Sequence, residues 1–366
     1  MAENGQVVPG REFIMLEPIN TSGRGASSSV GLLTSADAAR WDHFVLEHSE
    51  GTFFHLSGWQ KVISGFLGHS SYFLMSEQDG LVKGVLPLAR VKSWLFGDAL
   101  ISLPFLVYGG PLGRDRNAVD ELVRAATELA EELGVDYLEL RGRKPITDWP
   151  SKDSYVTFRK PIVKSVEENL LAIPRKQRAV VRKAIKAGLV ADSGRDVGDL
   201  YQVLSECKRN LGTPFFSKSY LEAVSDVFGE YCEVLTVSHN DELISGVMSF
   251  SFRDEILPYY GGGGMKARNL GANDFMYWKV MEKACLDGKR VFDYGRSQKG
   301  TGAYKFKKYW GFEPETLSYE YYLVNAKEVP RLDPSNRRYQ QAIRMWSRMP
   351  LSVSRVLGPP IARLLG

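Results

Sequence analysis

Residues 242–264 read ELISGVMSFSFRDEILPYYGGGG, and this stretch carries the pattern that decides the fold. Its first eleven residues, 242–252, are largely apolar, as expected of a strand buried inside a sheet. A second strand follows and leaves at Tyr259 and Tyr260 into four glycines, which predict a permissive loop ahead of a helix. Such a loop either brings backbone amides close to a ligand or serves only as a turn.

The same order of signals occurs twice in the chain. The first copy contains Phe53-Phe54, Gly68, Gly84-Val85, Tyr108-Gly109-Gly110 and a strand ending at Arg141. The second contains Phe215-Phe216, Gly229, Gly246-Val247, Tyr260-Gly261-Gly262 and a strand ending at Arg296. Each copy predicts helix, strand, turn, strand, strand, helix and strand. The fold class is therefore α+β, a mixed-sheet unit duplicated in tandem with a cleft between or beside the copies.

The spacings within the two copies support the duplication. Phe54 precedes Gly68 by 14 residues, and Phe216 precedes Gly229 by 13. The first copy has ten extra residues between Val85 and the following tyrosine turn, which predicts a longer hairpin around KSWLFGD, residues 92–98.

Length and composition narrow the class of protein. The 366 residues are 44% hydrophobic and 25% charged, which excludes disordered and fibrous classes and allows two ordinary domains. The net charge of +4 is too small to argue for nucleic-acid binding by itself. Three cysteines without metal-ligand spacing, no export signal and no long apolar run together predict a reduced, cytoplasmic protein.

The composition divides the chain into four parts. We expect a mobile leader over 1–30, a first domain over 31–160, a second over 161–325, and a basic tail over 326–366. At the join, PRKQRAVVRKAIKAGL predicts a helix that begins at Pro174 and ends near Gly188. Its basic residues fall on one stripe, which either binds phosphate or is a solvated face: Arg175, Arg178, Arg182 and Lys186.

A second cationic segment, GTGAYKFKKYWGF, covers residues 300–312. Lysine is a poor neighbour for aromatic rings unless a negative charge, or one that develops during a reaction, needs it there. The alternative is an exposed edge strand whose lysines are solvated and discourage aggregation, with Phe306 facing the core.

Taken together, these segments resemble the Fem family of aminoacyltransferases, which build peptidoglycan cross-bridges. The resemblance spans roughly residues 31–325, and within it the sequence is most similar to the FemAB-like branch associated with exosortase (PEP-CTERM) and exopolysaccharide gene clusters. The segments that carry it are FFHLSGWQKV, YGGPLG, PRKQRAVVRKAIKAGL, ANDFMYWKVMEKACLDGKRVFDYGRS and YKFKKYWGF. The resemblance implies two tandem GNAT-like domains and acyl or aminoacyl transfer to an amine. The acceptor it implies is a phosphate-bearing or lipid-linked sugar precursor of peptidoglycan or exopolysaccharide.

The resemblance also implies the site residues. In the Fem pattern a Phe-Lys pair is followed by two residues, an aromatic residue and glycine, which here gives Phe306-Lys307 and Trp310-Gly311. Lys307 is the expected catalytic residue, a cation aimed at the oxyanion of a tetrahedral intermediate. The expected substrate-binding residues are Arg175, Arg178, Arg182, Tyr108, Gly109, Gly110, Tyr260, Gly261, Lys305 and Phe306. The first copy has no equivalent of YKFKKYWGF, which leaves open that one half only binds.

Two donors follow from the resemblance, aminoacyl-tRNA and acyl-CoA, with no tightly bound cofactor. GNAT enzymes hold the CoA pyrophosphate in an R/Q-x-x-G-x-G/A turn, and residues 268–273 match it except that Asn273 stands last. An acyl-CoA-dependent GNAT N-acyltransferase is therefore the alternative. The five histidines show no paired spacing, so we expect no metal site.

Acidic residues near the ends of the two copies have two possible roles. Glu139 and Asp293 occupy near-equivalent strands, each followed by an arginine, and act either as a general base or as ion-pair partners of Arg141 and Arg296. Asn273-Asp274 is expected to cap the helix that follows.

The tail RMWSRMPLSVSRVLGPPIARLLG, residues 344–366, predicts two short amphipathic helices. They either lie on the anionic inner leaflet of a membrane, which would make the protein peripheral, or pack as a C-terminal helix pair. A non-enzymatic membrane-surface module is thus a further alternative.

Overall fold

The computed structural model describes residues 28–93, 97–330 and 337–365. The helices in these ranges are α1 Ala38–Glu47, α2 Gly58–Lys61, α3 Arg116–Glu132, α4 Val166–Leu171, α5 Arg175–Lys186, α6 Val197–Asn210, α7 Lys218–Phe228, α8 Met265–Leu270, α9 Ala272–Leu286, α10 Gly302–Tyr309, α11 Arg337–Ser347 and α12 Leu351–Ala362. The strands are β1 Ser28–Leu32, β2 Ser70–Gln78, β3 Leu81–Ser93, β4 Gly97–Ser102, β5 Leu112–Gly113, β6 Tyr137–Gly142, β7 Ser151–Lys152, β8 Tyr155–Pro161, β9 Val190–Gly194, β10 Cys232–His239, β11 Glu242–Phe252, β12 Glu255–Gly263, β13 Val291–Asp293, β14 Ser297–Gln298, β15 Pro314–Thr316 and β16 Ser318–Leu323.

Two mixed sheets correspond to the two sequence copies. The first has the order β1-β2-β3-β4-β6-β16-β7 with β5 on β3, and the second the order β14-β8-β13-β12-β11-β10-β9 with β15 on β8. In each sheet an antiparallel meander is followed by a parallel pair, β4 with β6 and β12 with β13. The predicted α+β duplication is confirmed, and the long hairpin is present, since Ser93 pairs with Gly97.

The two halves exchange a strand. Strand β8, which follows the first copy, pairs antiparallel with β13 in the second sheet. Strand β16, which follows the second copy, pairs antiparallel with β6 in the first sheet. The sheets therefore do not divide at residue 160, because the chain crosses over on either side of the second copy. Of the predicted leader, residues 28–30 begin β1 and residues 1–27 lie outside the described ranges.

The main buried core is shared by both halves. Phe53 of the first copy stacks on Phe250 of the second with ring centroids 4.3 Å apart, and Trp59 packs against Phe228 at 4.7 Å. Rings of this size bury large apolar areas and dominate the energetics of an interface. The Phe-Phe pairs that mark the repeat are therefore residues of the core and of the contact between the halves.

The glycine run of the second copy continues a strand, so the predicted loop is wrong over Gly261–Gly263. These residues pair in register with Val247, Gly246 and Ser245 of β11. Small size explains them: a Cβ on Gly262 would lie 2.7 Å from the Sγ of Cys207, and one on Gly263 would lie 2.6 Å from the Cβ of Ala267. The glycines let helices α6 and α8 pack closely on the sheet.

The segment KFKKY lies in helix α10, so the alternative of an exposed edge strand is wrong. The Thr301 side chain accepts from the amide of Tyr304 and caps the helix, which favours helix over strand at this point. Helical spacing turns Lys305 and Lys308 to solvent and buries Lys307 between them.

Candidate functional site

Lys307 lies in a buried position beside the end of strand β13. Its side chain is 9% exposed, and Nζ donates to the carbonyl oxygens of Gly295 at 2.9 Å and Arg296 at 3.1 Å. Burial lowers the pKa of Lys307 to about 7; Asp293 opposes this shift and Arg296 adds to it. Lys307 therefore changes its charge near neutral pH, as groups at functional sites often do.

The rings around Lys307 differ from those expected from the sequence. Nζ lies 5.6 Å from the ring centre of Phe158, on β8, and 5.9 Å from that of Tyr294. Among the aromatic residues next to Lys307 in the sequence, Tyr309 is 62% exposed. Because Phe158 comes from the exchanged strand, local sequence around Lys307 could not reveal it.

Asp293 is the centre of a hydrogen-bond network that joins the two halves. Its carboxylate accepts from Tyr108 Oη at 2.9 Å, Arg159 Nη1 at 2.7 Å, Thr157 Oγ1 at 3.2 Å and the Gly295 amide at 2.7 Å. These partners satisfy the charge of a carboxylate that is only 1% exposed. Arg159 is its ion-pair partner, so the expected pairing of Asp293 with Arg296 is wrong.

The expected pairing of Glu139 with Arg141 is confirmed. Arg141 Nε donates to Glu139 Oε1 at 2.6 Å, and both side chains are buried. The guanidinium also donates to the carbonyl oxygen of Leu106 at 3.0 Å, which ties the turn before Tyr108 to β6. This pair supports the first half.

Arg296 occupies the corresponding position in the second half with different surroundings. Its guanidinium lies 4.6 Å from the ring centre of Tyr155 and 5.8 Å from that of Tyr319, and Nη1 donates to Tyr319 Oη at 3.3 Å. It forms no ion pair with a carboxylate within residues 28–93, 97–330 and 337–365. A half-buried guanidinium held by ring faces is a suitable site for an anionic group.

The expected turn Tyr108-Gly109-Gly110 is buried at the contact between the halves. Gly109 has φ +149°, and a Cβ there would lie 2.8 Å from Leu103 Cβ. The Gly110 amide donates to the Arg141 carbonyl oxygen at 2.9 Å. Close packing thus accounts for both glycines. The cavity beside Tyr108 and Asp293 measures about 10 Å³, room for one water at most.

The expected residues of β12 lie next to helix α9. Tyr260 is buried, and its hydroxyl shares a hydrogen bond of 2.9 Å with that of Tyr220. A Cβ on Gly261 would lie 2.9 Å from Tyr277 Oη. These residues pack the sheet against its helices, and Tyr260 does not reach Lys307 through any hydrogen bond in the ranges described.

The basic stripe forms on helix α5 as expected, with Arg175 and Arg182 exposed. Arg178 donates to the Leu171 carbonyl oxygen and so caps the end of α4. A Cβ on Gly311 would lie 3.0 Å from Pro174 Cδ, so the start of α5 packs against the chain that leaves α10. The stripe and the exposed Lys305 therefore belong to neighbouring helices.

Helix α5 packs against the start of helix α9, which affects whether the pyrophosphate of CoA could bind there. The cap residue is Gly271, with φ +70°, and not Asn273-Asp274 as expected. Asp274 instead accepts from Trp310 Nε1 at 2.9 Å and from Gln177 of α5, and burial raises its pKa. A Cβ on Gly271 would lie 2.8 Å from Val180 of α5. The start of α9 is thus packed against α5 and carries a carboxylate in its first turn, which opposes the binding of a pyrophosphate at its amides.

Sequence reasoning missed several members of this site. Arg159, Thr157 and Phe158 lie on β8 in a stretch without a motif, and no repeat signal marks them because they follow the first copy. Gly295, whose carbonyl oxygen accepts from Lys307, has φ +64° and lies two residues after the end of β13. In the sequence, only its position in the segment DYGR, residues 293–296, marked Gly295 as a candidate.

The described ranges hold neither a metal-binding cluster nor a helix that could span a membrane. They contain no group of three His, Cys, Asp or Glu side chains arranged to hold a metal ion. None of their helices combines the length and apolar character needed to cross a bilayer.

Comparison with known proteins agrees with this architecture. Residues 175–308 match the family model described as an acetyltransferase (GNAT) domain. The structure is similar to that of FemX, with TM-score 0.61 and 17% identity over 81% of this chain and 97% of that one. It is also similar to a tandem GNAT protein from the clavulanic acid biosynthesis pathway, with TM-score 0.51 and 12% identity over 80% of this chain and 97% of that one. No curated protein sequence matches.

A third similar structure is a conserved protein of unknown function from Bacteroides thetaiotaomicron, with TM-score 0.54 and 10% identity over 80% of this chain and 99% of that one. At identities this low, the structural similarity shows a shared fold alone. The chain has an α+β fold of two tandem GNAT-like domains, and the second half carries the GNAT domain match.

Proposed function

We propose that this protein is an acyltransferase that joins an acyl or aminoacyl group to an amine. The acceptor we propose is a phosphate-bearing or lipid-linked sugar precursor of the cell envelope, either peptidoglycan or exopolysaccharide, in the manner of Fem proteins of the PEP-CTERM-associated branch. The proposal is supported by one observation above others: Lys307 is buried, its ammonium donates to two backbone carbonyl oxygens, and it forms no ion pair with a carboxylate in the described part of the chain.

The reaction assigns Lys307 a role that needs its charge. The acceptor amine attacks the carbonyl carbon of the donor, a C–N bond forms, and the carbonyl oxygen becomes negative. Lys307 stabilises this oxyanion more than the uncharged substrate, which lowers the barrier. Collapse breaks the bond to the leaving group, and the proton released by the amine passes to it. The dry surroundings of Lys307 strengthen its attraction to the developing charge.

Phosphate binding falls to the exposed basic residues. Arg175 and Arg182 of α5 and Lys305 of α10 face solvent, and guanidinium forks match phosphate oxygens. Arg178 contributes charge while capping α4. In this assignment the Tyr108 turn and strand β12 at Tyr260 support the site from behind, and Phe306, next to Lys307 in α10, forms part of its wall.

The donor is either acyl-CoA, which the GNAT fold suggests, or aminoacyl-tRNA, which the Fem resemblance implies. The covered start of α9 disfavours a CoA pyrophosphate at that helix, because Asp274 and α5 already occupy it. The exposed stripe of α5 favours a donor with many phosphates. These observations support the tRNA donor, and acyl-CoA is the second candidate.

The test is a single-turnover transfer assay with purified protein, charged tRNA or acetyl-CoA as donor, and an aminated sugar nucleotide as acceptor. Lys307→Ala is expected to lose about 100- to 1,000-fold in rate, the usual effect of removing an oxyanion donor. Lys218→Ala, at an exposed lysine paired with Glu222, is the matched control and keeps full rate. Unchanged turnover in Lys307→Ala would refute the assignment of Lys307.

A binding titration separates the donors. With charged tRNA, the double variant Arg175→Ser and Arg182→Ser is expected to bind more weakly and to show a shallower dependence on salt, because phosphate contacts release counterions. Saturable acetyl-CoA binding without tRNA binding would establish the GNAT acyltransferase instead. Binding of neither donor would remove the basis for the transfer reaction.

A further inference from the structure

Helix α12 buries its small residues against the protein and exposes its larger apolar residues. The side that faces the protein carries small residues, Ser354, Gly358 and Ala362, all buried. A Cβ on Gly358 would lie 3.0 Å from the Phe215 carbonyl oxygen, so this side packs tightly. The larger apolar residues face outward: Val353 is 41% exposed, Val356 72%, Leu357 44% and Ile361 38%.

This outward apolar face is held in place by the fold. Arg355 Nε donates to Ser205 Oγ of α6 at 2.9 Å, and its guanidinium lies over the ring of Tyr201. Arg209 of α6 donates to the Met349 carbonyl oxygen at 3.0 Å. His69, from the first half, bonds to the Arg363 carbonyl oxygen at 2.7 Å. The predicted packed helix pair is therefore present, yet its outer face remains apolar.

The charged residues of the segment that forms α11 and α12 are of one sign. Residues 334–366 contain six arginines and no aspartate or glutamate. Of these, Arg344, Arg348 and Arg363 are exposed, and none has a carboxylate partner within the described part of the chain. Met345 of α11, 66% exposed, adds an apolar residue beside Arg344, and Arg348 directly follows the helix.

We propose that the outer face of α11 and α12 docks on an anionic lipid bilayer. Apolar side chains would enter the boundary between head groups and acyl chains, while the arginines beside them would contact lipid phosphates. A helix of 12 residues is too short to span a bilayer, and it suits a position in the plane of the interface between lipid and water. Charge complementarity selects the lipid, because a segment that carries six arginines and no acids favours a negatively charged surface. The inference does not depend on the transfer reaction.

The experiment is flotation of the full chain with vesicles of phosphatidylcholine alone or of phosphatidylcholine with phosphatidylglycerol. We expect flotation only with phosphatidylglycerol, weakened by added salt. The variant Val356→Asp with Leu357→Asp is expected to reduce the bound fraction about tenfold or more, because it replaces inserted apolar area with anionic charge. Arg344→Gln is expected to lower binding about fivefold, the effect of one surface cation.

Leu286→Asp is the matched control, because Leu286 is an exposed apolar residue, 74% exposed, on α9. It should float like the unaltered chain. Circular dichroism melts verify that the variants fold, which their exposed positions favour. Absence of flotation, or equal flotation of the double aspartate variant, would overturn the proposal. Sedimentation velocity provides the other outcome: a dimer lost in the double aspartate variant, without flotation, would mean that a second copy covers this face.

Discussion

Lys307 Nζ donates to the carbonyl oxygen of Gly295 across 2.9 Å, while Asp293, two residues before that glycine, accepts from its amide at 2.7 Å. The turn after β13 thus holds an acid on its N–H side and a buried amine on its C=O side. Burial sets the pKa of that amine near neutrality.

The transfer rate should depend on the protonation of Lys307. If the ammonium stabilises the oxyanion, the protonated form is active and is lost as pH rises through about 7. With a weakly basic acceptor that stays neutral throughout, the rate should be level below pH 7 and fall above it. A rate that rises across the same range would assign Lys307 as a general base instead.

The free energy of unfolding should also depend on Lys307. Its pKa is about 7 in the folded chain and 10.5 in the unfolded chain, so between these values the unfolded chain binds more protons. The free energy of unfolding therefore rises with pH in this window, by at most about 1.4 kcal/mol per pH unit. The cost of burying the charged amine is greatest below pH 7.

Lys307→Met should remove that dependence. Urea unfolding at several values between pH 7 and 9 is expected to show the variant more stable than the unaltered chain at pH 7, with the difference shrinking as pH rises. A difference that stays constant with pH would contradict the lowered pKa. Subtracting the two chains at each pH cancels the titration of all other groups.

Tyr108→Phe should destabilise the contact between the halves. The hydroxyl bonds to Thr157 at 2.6 Å and to Asp293 at 2.9 Å, and its loss leaves buried partners less satisfied, at a cost of about 1–2 kcal/mol. Tyr322→Phe is the control, because the Tyr322 hydroxyl bonds to Glu131 at an exposed position. Its effect should stay below about 0.5 kcal/mol in the same urea titration.

Gly262→Ala should destabilise the second sheet by about 1–3 kcal/mol, because the new methyl group would collide with Cys207 Sγ at 2.7 Å. Adding Cys207→Ala removes that atom and should restore part of the loss. Gly194→Ala, at a strand glycine with open space around it, should be neutral. If Gly262→Ala keeps full stability, close packing does not explain the glycine.

Much of the architecture was readable from the order of signals. The paired phenylalanines, glycines and tyrosine turns repeat at matching spacing, and the α+β duplication they predict is present. Helix α5 begins after Pro174 and ends before Gly188, because proline and glycine act locally. The pairing of Glu139 with Arg141 was also local, two residues apart on one strand.

Errors arose where a short segment admits two conformations. KFKKY alternates like a strand, yet the Thr301 cap and the turn before it form helix α10. The glycines of β12 fit a loop by propensity, and packing of α6 and α8 keeps them in a strand. At Asp274 a tertiary partner, Trp310, prevailed over the local cap.

The sequence by itself determined the repeated unit and the basic stripe of α5, and its resemblance to the Fem pattern indicated Lys307. Only the tertiary structure decided what surrounds Lys307. The exchanged strand β8 brings Phe158 against its amine and Arg159 against Asp293, although Arg159 and Asp293 are 134 positions apart in the chain. Contacts of that range depend on where whole sheets pair, so the burial that sets the charge of Lys307 is a property of the assembled fold.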